Sequence, residues 1–270
     1  MSYQDPLLTI IIPTYNSSAT LDATLESIYN QTFKNVEVLI MDGLSTDKTL
    51  ELVGKFQKYG LNIISFSEAD DGIYDAMNKG IVRAKGNWIY FLGSDDTLYE
   101  NTTLEKFAGL KELSGAEVIY GNVVSPRFGG VYDGQFNYSK LAVKNICHQS
   151  IFFNKGIFKK TGTFNLKYKA HADWDHNIKW FYSSKIISVF VPIIFAHYAD
   201  GGFSSINNDH TFAIDKNIKL LKRGIGKLTF FEMKDICKDA LNQAKINKSK
   251  KKILLLSPIH FIFKSITVFK

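Results

Sequence analysis

The sequence predicts an α/β fold: a mostly parallel sheet covered by helices on both faces, followed by a helical, basic C-terminal extension. Three observations carry this. Short, nearly continuous apolar runs alternate with segments whose apolar residues recur every three or four positions, the pattern of buried parallel strands joined by packed helices. Acidic residues follow those apolar runs, on the rim where such sheets bind ligands. The charge is also unevenly spread: residues 1–210 hold 19 Lys/Arg and 22 Asp/Glu, whereas residues 211–270 hold 14 and 4.

The elements follow in order. Leu7–Pro13 reads as a buried strand ending in the polar loop Thr14 to Ser17. Ser17 or Ser18 caps a helix through Tyr29, with Leu21, Leu25 and Ile28 on one face. Val36–Met41 is a second strand, ending at Asp42 and Gly43, and Thr46-Asp47 opens a helix with Leu50, Val53 and Phe56 inward. Asn62–Phe66 is a third strand and Gly72–Ala84 a third helix. Trp88–Leu92 is a fourth strand, running into Gly93, Ser94, Asp95 and Asp96. A helix over about 102–113 and a strand at 118–120 follow. Beyond Val123 the alternation fails. Residues 125–138 read as a hairpin or a mobile loop, 151–153 and 186–195 as strands, and 173–182 as a helix. After Asp209 the chain is helical and basic, with Phe230, Met233, Cys237, Ala240 and Ala244 on one face.

With 270 residues the chain suits one large domain over 1–210 and an appendage over 211–270. Apolar residues at 45% and charged residues at 22% exclude a disordered chain. Cys147 and Cys237 cannot form a disulfide framework, and no Cys/His cluster has zinc spacing. The first six residues do not read as a signal peptide, and the longest apolar runs are about half the ~20 residues a membrane span needs. A reduced, cytoplasmic protein is the expectation. No phosphate-loop signature of a dehydrogenase or P-loop enzyme is present.

The adjacent carboxylates Asp95 and Asp96 repel each other unless a cation or hydrogen-bond donors offset them. A divalent ion on a diphosphate does so, since Mg²⁺ or Mn²⁺ takes one or two carboxylates plus phosphate oxygens; helix-capping acids are the plainer alternative. Pro13, Thr14, Tyr15 and Asn16, with Asp42, suit a nucleotide: Tyr15 for stacking on the base, a carboxylate for accepting from it. The run Glu68 to Gly80 is dense in polar groups. Asp71 and Gly72 open a helix there, Tyr74 lies within it, and Lys79 is placed to reach phosphate or to pair with an acid.

Together these segments resemble the glycosyltransferase family 2 catalytic domain, with its GT-A fold. The matching stretches are Ile11–Asn16, Met41–Thr49, Glu68–Gly80 with its GIYDAMNKG segment, and Ser94–Asp96, in that order over roughly 6–206. The resemblance implies that Thr14 and Asp42 contact the base with Tyr15 nearby, that Asp95 lies near the ribose, and that Asp96 ligates Mn²⁺ or Mg²⁺ on the diphosphate. The family's base sits in an acidic pair opening a helix. Here that place reads His171, Ala172, Asp173, Trp174, Asp175. Asp173 matches the base, although Ala172 replaces the usual first acid and leaves Asp175 as an alternative. His148 and Trp174 fall on the acceptor side. His197 is a second candidate metal ligand, and Gly201 to Ser204 match a segment that closes over the diphosphate.

The function expected is an inverting, metal-dependent transfer of a sugar from a nucleoside diphosphate sugar, most simply a UDP-sugar. The acceptor is a saccharide or a lipid-linked saccharide of a bacterial surface polysaccharide, O-antigen or capsule. The basic, apolar tail at 248–270 suits a peripheral contact with an anionic membrane surface. A sugar-1-phosphate nucleotidyltransferase requires a basic, Gly-rich loop after the first strand that is not there. A nucleic-acid partner leaves the ordered acids unexplained, so none is expected.

Overall fold

The computed structural model describes residues 5–199 and 209–268. Its described strands are β1 (Leu8–Thr14), β2 (Val36–Asp42), β3 (Ile63–Ser67), β4 (Trp88–Phe91), β5 (Thr97–Leu98), β6 (Val118–Ser125), β7 (Gly130–Tyr132), β8 (Ile151–Asn154) and β9 (Ser188–His197). Its described helices are α1 (Leu21–Tyr29), α2 (Thr49–Lys58), α3 (Ile73–Arg83), α4 (Thr103–Ala108), α5 (Tyr138–Val143), α6 (Ile157–Thr161), α7 (Ala172–Phe181), α8 (His210–Arg223), α9 (Phe230–Ile246) and α10 (Lys250–Val268).

The strands form one sheet in the order β3-β2-β1-β4-β8-β6-β9-β5, with β7 on β6. The first half is parallel, as the strand–helix alternation requires. The second half is mixed: β8 runs antiparallel to β4 and β6, and β9 runs parallel to β6 but antiparallel to β5. Parallel pairing thus dominates the first half, where helical crossovers join successive strands, and recurs in the second half at β6 and β9. Only the first part of the 125–138 segment is a hairpin: β7 pairs with the end of β6 across a short 3₁₀ turn at Pro126–Phe128, residues 133–137 form no strand, and Tyr138 opens α5. The helix expected over 102–113 stops at Ala108 and resumes as a 3₁₀ turn at Lys111–Ser114.

Strand alternation sorts the core into two layers. Leu8, Ile10 and Ile12 of β1 face α1, α2 and α4 through Leu25, Phe56 and Phe107. Ile11, with Leu39 and Met41, faces the other way, onto α3 and α7 through Met77, Ile81 and Ile178. The layer on α3 needs Gly80: a Cβ there would lie 2.6 Å from Ile11 Cγ2, so the glycine of GIYDAMNKG lets helix and strand approach closely. Gly72, at φ 106°, supplies the left-handed turn into α3. The C-terminal helices form a third cluster, with Cys237, Ala240, Leu241 and Ala244 of α9 against Leu221 and Leu256. The face expected on α9 is thereby buried, and Phe230 meets Phe263 of α10 at 5.2 Å.

Candidate active site

The carboxyl ends of β1 and β4, the loop before α3 and the turn before β8 enclose a cleft of about 540 Å³. Pro13, Thr14, Tyr15, Asn16, Gly72, Tyr74, Ser94, Asp95 and His148 line it, all residues expected from the sequence. Tyr15 is 68% exposed, a free ring at the mouth. Ser17 ties the first loop to the β4 end, its hydroxyl 2.9 Å from that of Ser94. Asn16 pins the loop to the β2 end, accepting from Thr46 N–H at 2.9 Å while its own N–H donates to Ser45 Oγ at 2.8 Å.

Asp42 lies under this floor, buried. Its carboxylate accepts from Ser45 Oγ at 2.5 Å, Ser67 Oγ at 2.6 Å, Ser45 N–H at 3.0 Å and Thr14 Oγ1 at 3.3 Å. Burial pushes its pKa up, but the Ser45, Ser67 and Thr14 bonds outweigh that and hold it below the usual carboxylate range. Four protein donors occupy the group, so it meets a base only if one of them gives way.

Asp95 and Asp96 differ sharply. Asp95 is exposed and lines the cleft. Asp96 is buried: Oδ2 accepts from Gln149 Nε2 at 2.6 Å and Gly93 N–H at 3.2 Å, and Oδ1 from Ala199 N–H at 2.8 Å. Burial, and then the neighbouring Asp95 charge, raise its pKa to about 6 despite those donors. Among the described residues no group of three or more His, Cys, Asp or Glu is placed to hold a metal. The strained carboxylate pair nonetheless fits an ion that takes one or two carboxylates and completes its shell with diphosphate oxygens, because such a charge would relieve the repulsion. His197 is exposed on β9, its ring 5.0 Å from that of Tyr99, and does not line the cleft. Gly201 to Ser204 lie outside the described residues.

Asp173 sits in the first turn of α7, buried behind Tyr74 and His148. Its Oδ1 accepts from Tyr74 Oη and Trp174 N–H, both at 2.8 Å, and its Oδ2 from Asn145 Nδ2 at 2.8 Å. His148 Nδ1 is 3.6 Å from Oδ2, while its Nε2 is buried with no hydrogen-bond partner among the described residues. Burial opposes ionisation, but the adjacent His148, Tyr74 and Trp174 N–H outweigh it and keep the Asp173 carboxyl below its ordinary pKa. The group is therefore ionised at neutral pH, as a proton acceptor must be. Asp175 is different in kind: fully buried, it is held by Lys219 and by Lys179 at 3.3 Å.

Like His197, the expected residues Lys79, Asp71 and Trp174 lie apart from the cleft. Lys79 pairs with Asp75 at 3.0 Å and donates to the Ala69 carbonyl at 2.6 Å, bracing the loop instead of reaching into it. Asp71 is exposed on the outer side of that loop, its carbonyl accepting from Lys169 at 3.1 Å. Trp174 turns toward α8, with Nε1 donating to the Leu141 carbonyl at 2.9 Å and Lys216 over its ring. Residues not singled out from the sequence include Tyr198 in the cleft wall, where Asp70 of the expected acidic rim also lies, and Asn145 on Asp173. Asn145 is fixed in turn by Asn177, whose Nδ2 donates to it at 2.9 Å.

Comparison with known proteins agrees with this geometry. The family model described as glycosyl transferase family 2 matches residues 9–179. A PGL/p-HBAD biosynthesis glycosyltransferase of Mycobacterium bovis is 39% identical over 211 residues, covering 77% of this chain and 82% of that protein. The chondroitin synthase of Pasteurella multocida is 31% identical over 181 residues, which span 64% of this chain but 19% of the synthase. Among solved structures, S. aureus TarS in complex with UDP-GlcNAc superposes with a TM-score of 0.69 at 19% identity, over 88% of this chain and 72% of that one. The mannosyltransferase PcManGT from Pyrobaculum calidifontis, in complex with GDP-Man and Mn²⁺, gives 0.58 at 18% identity, over 98% and 84%. At those identities the structural likeness speaks for the fold alone.

Proposed function

The chain belongs to glycosyltransferase family 2 and is a glycosyltransferase of GT-A fold, and from that premise we propose an inverting transfer from a UDP-sugar with Asp173 as the base. The observation that carries the reading is the buried Asp173 carboxylate, which lies behind Tyr74 and His148 of the cleft wall and is kept ionised, against its burial, by His148, Tyr74 and Trp174 N–H. An acceptor hydroxyl there attacks the anomeric carbon opposite the diphosphate. The new C–O bond forms as the bond to phosphate breaks, the proton passes to Asp173, and the electron pair leaves with the diphosphate. General-base help of this kind is worth roughly 10²–10⁴-fold. One displacement inverts the anomeric centre.

On this reading Tyr15 stacks on the base at the cleft mouth, Thr14, Asn16 and Ser94 border the nucleoside, and Asp95 meets the ribose. Asp96, with Asp95, would hold Mn²⁺ or Mg²⁺, which supplies Lewis-acid neutralisation of the departing diphosphate. A TarS structure with UDP-GlcNAc and a PcManGT structure with GDP-Man and Mn²⁺ support the choice of donor class and metal for this chain. The chondroitin synthase and the PGL/p-HBAD glycosyltransferase support a saccharide acceptor, free or lipid-linked, in building a surface glycan. The catalytic domain is taken as 1–210, with 211–270 as an extension at a membrane face.

The test is a panel of nucleotide sugars with Mn²⁺, read by thermal shift, followed by NMR of the product anomer. A UDP-sugar giving the largest shift and an inverted product supports the reading. A retained anomeric configuration, or stabilisation by a non-uridine donor alone, overturns the respective part.

A further inference from the structure

Helix α10 has two apolar faces. Ile253, Leu256, Ile259 and Phe263 pack inward, against Cys237, Ala240 and Ala244 of α9. Leu254 is 78% exposed, Leu255 50%, Phe261 71% and Ile262 58%. Together with exposed Pro258 they recur at helical spacing, so they form one outward stripe opposite the packed one. A helix packed on one side only is normally polar on the other; one that is apolar all round is covered all round. Among the described residues, the protein's own chain covers only one side of α10.

The surroundings of the stripe specify what covers the other. Lys248, Lys250 and Lys251 stand exposed at its start and Lys264 near its end. Residues 240–270 contain no Asp or Glu. A second copy meeting this face two-fold therefore has no acid to set against those lysines, whereas an anionic lipid surface matches both the lysines and the apolar stripe. No described helix is long and apolar enough to cross a membrane, so the contact lies in the interface plane. We propose that the outward face of α10, formed by Leu254, Leu255, Phe261 and Ile262 and headed by Lys250 and Lys251, docks the enzyme on an anionic bilayer as a monotopic contact. This assignment does not depend on the donor or the base: it concerns a surface outside the cleft and is read without substrate.

The experiment is co-sedimentation of the full chain with phosphatidylcholine vesicles, with and without phosphatidylglycerol. The wild type should pellet with the anionic vesicles and remain largely in solution with the neutral ones. Leu254→Glu with Phe261→Glu should lower partitioning by at least about tenfold, as expected for buried apolar side chains, and Lys250→Glu with Lys251→Glu should lower it by a similar factor. Val82→Glu, which alters a solitary exposed side chain on α3 that is 79% accessible, should change nothing. Phe261→Trp gives an independent readout that keeps the apolar face: its fluorescence should be quenched by brominated lipid, beyond the signal of the native tryptophans. Absence of wild-type pelleting with anionic vesicles, full pelleting of the Leu254→Glu/Phe261→Glu variant, or an unquenched Phe261→Trp overturns the proposal. So does a dimer, seen by light scattering, that the glutamates dissociate while vesicles bind nothing.

Discussion

Replacing Tyr74 by Phe removes one of the groups that keep the proposed base ionised, beside His148 and Trp174 N–H. The hydroxyl has one proton and two acceptors in reach: Asp173 Oδ1 at 2.8 Å and the Ala170 carbonyl at 3.1 Å. The nearer, charged oxygen takes it. A hydrogen bond to a charged group contributes about 1.5–3 kcal/mol, all of it favouring the carboxylate over the carboxylic acid. Its loss raises the Asp173 pKa, while His148, Trp174 N–H and Asn145 still hold the group in place. The active species is the ionised one, so the rate falls as pH drops through that pKa, and the variant's acidic limb lies at higher pH than the wild type's. On that limb kcat/KM should fall roughly ten- to hundredfold, the same free energy expressed as a rate. On the alkaline plateau, where both enzymes are ionised, the loss should stay under about tenfold. The assay is kcat/KM against pH with a saturating acceptor. An acidic limb that does not move refutes the argument that Tyr74 sets the ionisation of Asp173. A loss equal at every pH would instead mean that Tyr74 binds substrate directly.

Asp175→Asn should behave oppositely to a change at the base: removing the partner of Lys219 and Lys179 in a buried site costs roughly 3–5 kcal/mol of stability, yet turnover per folded molecule should persist, as urea melts and active-site titration would reveal. His176 is buried, bonded to Thr161 and stacked on Phe158, and burial depresses its pKa to about 3. The unfolded chain therefore binds more protons between pH 3 and about 6.5, so the wild type should lose about 2 kcal/mol between pH 6.5 and 5 from this group, a loss that His176→Phe removes. Excess EDTA should abolish turnover and Mn²⁺ restore it; full activity in EDTA would contradict the assignment of Asp95 and Asp96 to a metal.

What the sequence disclosed follows chain distance and topology. The rim of acids was legible because parallel strands place every loop that follows them on one edge, and Asp42, Asp70 and Asp95 duly gather there. Gly80 was legible as part of a motif, though its reason, Ile11 lying beneath it, belongs to a contact seventy residues away in sequence. The saturation of Asp42 by Thr14, Ser45 and Ser67 was hidden, because two of those partners come from other loops. Asn145 was missed for the same reason: it meets Asp173 from a stretch where the strand–helix alternation had failed. The antiparallel pairing of β8 was equally hidden, because the short apolar run Ile151–Phe153 carries no mark of its direction. Trp174 and Lys79 show the limit of a motif read without its contacts. Both stand in the expected segments, but their side chains are taken up by Leu141, Asp75 and Ala69.

The assignment of Asp173 as the base is tested most directly by single-turnover kinetics of Asp173→Asn with donor, Mn²⁺ and acceptor, alongside donor affinity by calorimetry. Asparagine keeps the shape but cannot accept the proton. The rate constant should fall by roughly 10²–10⁴ with donor binding little changed. Near-full turnover by Asp173→Asn would contradict the account.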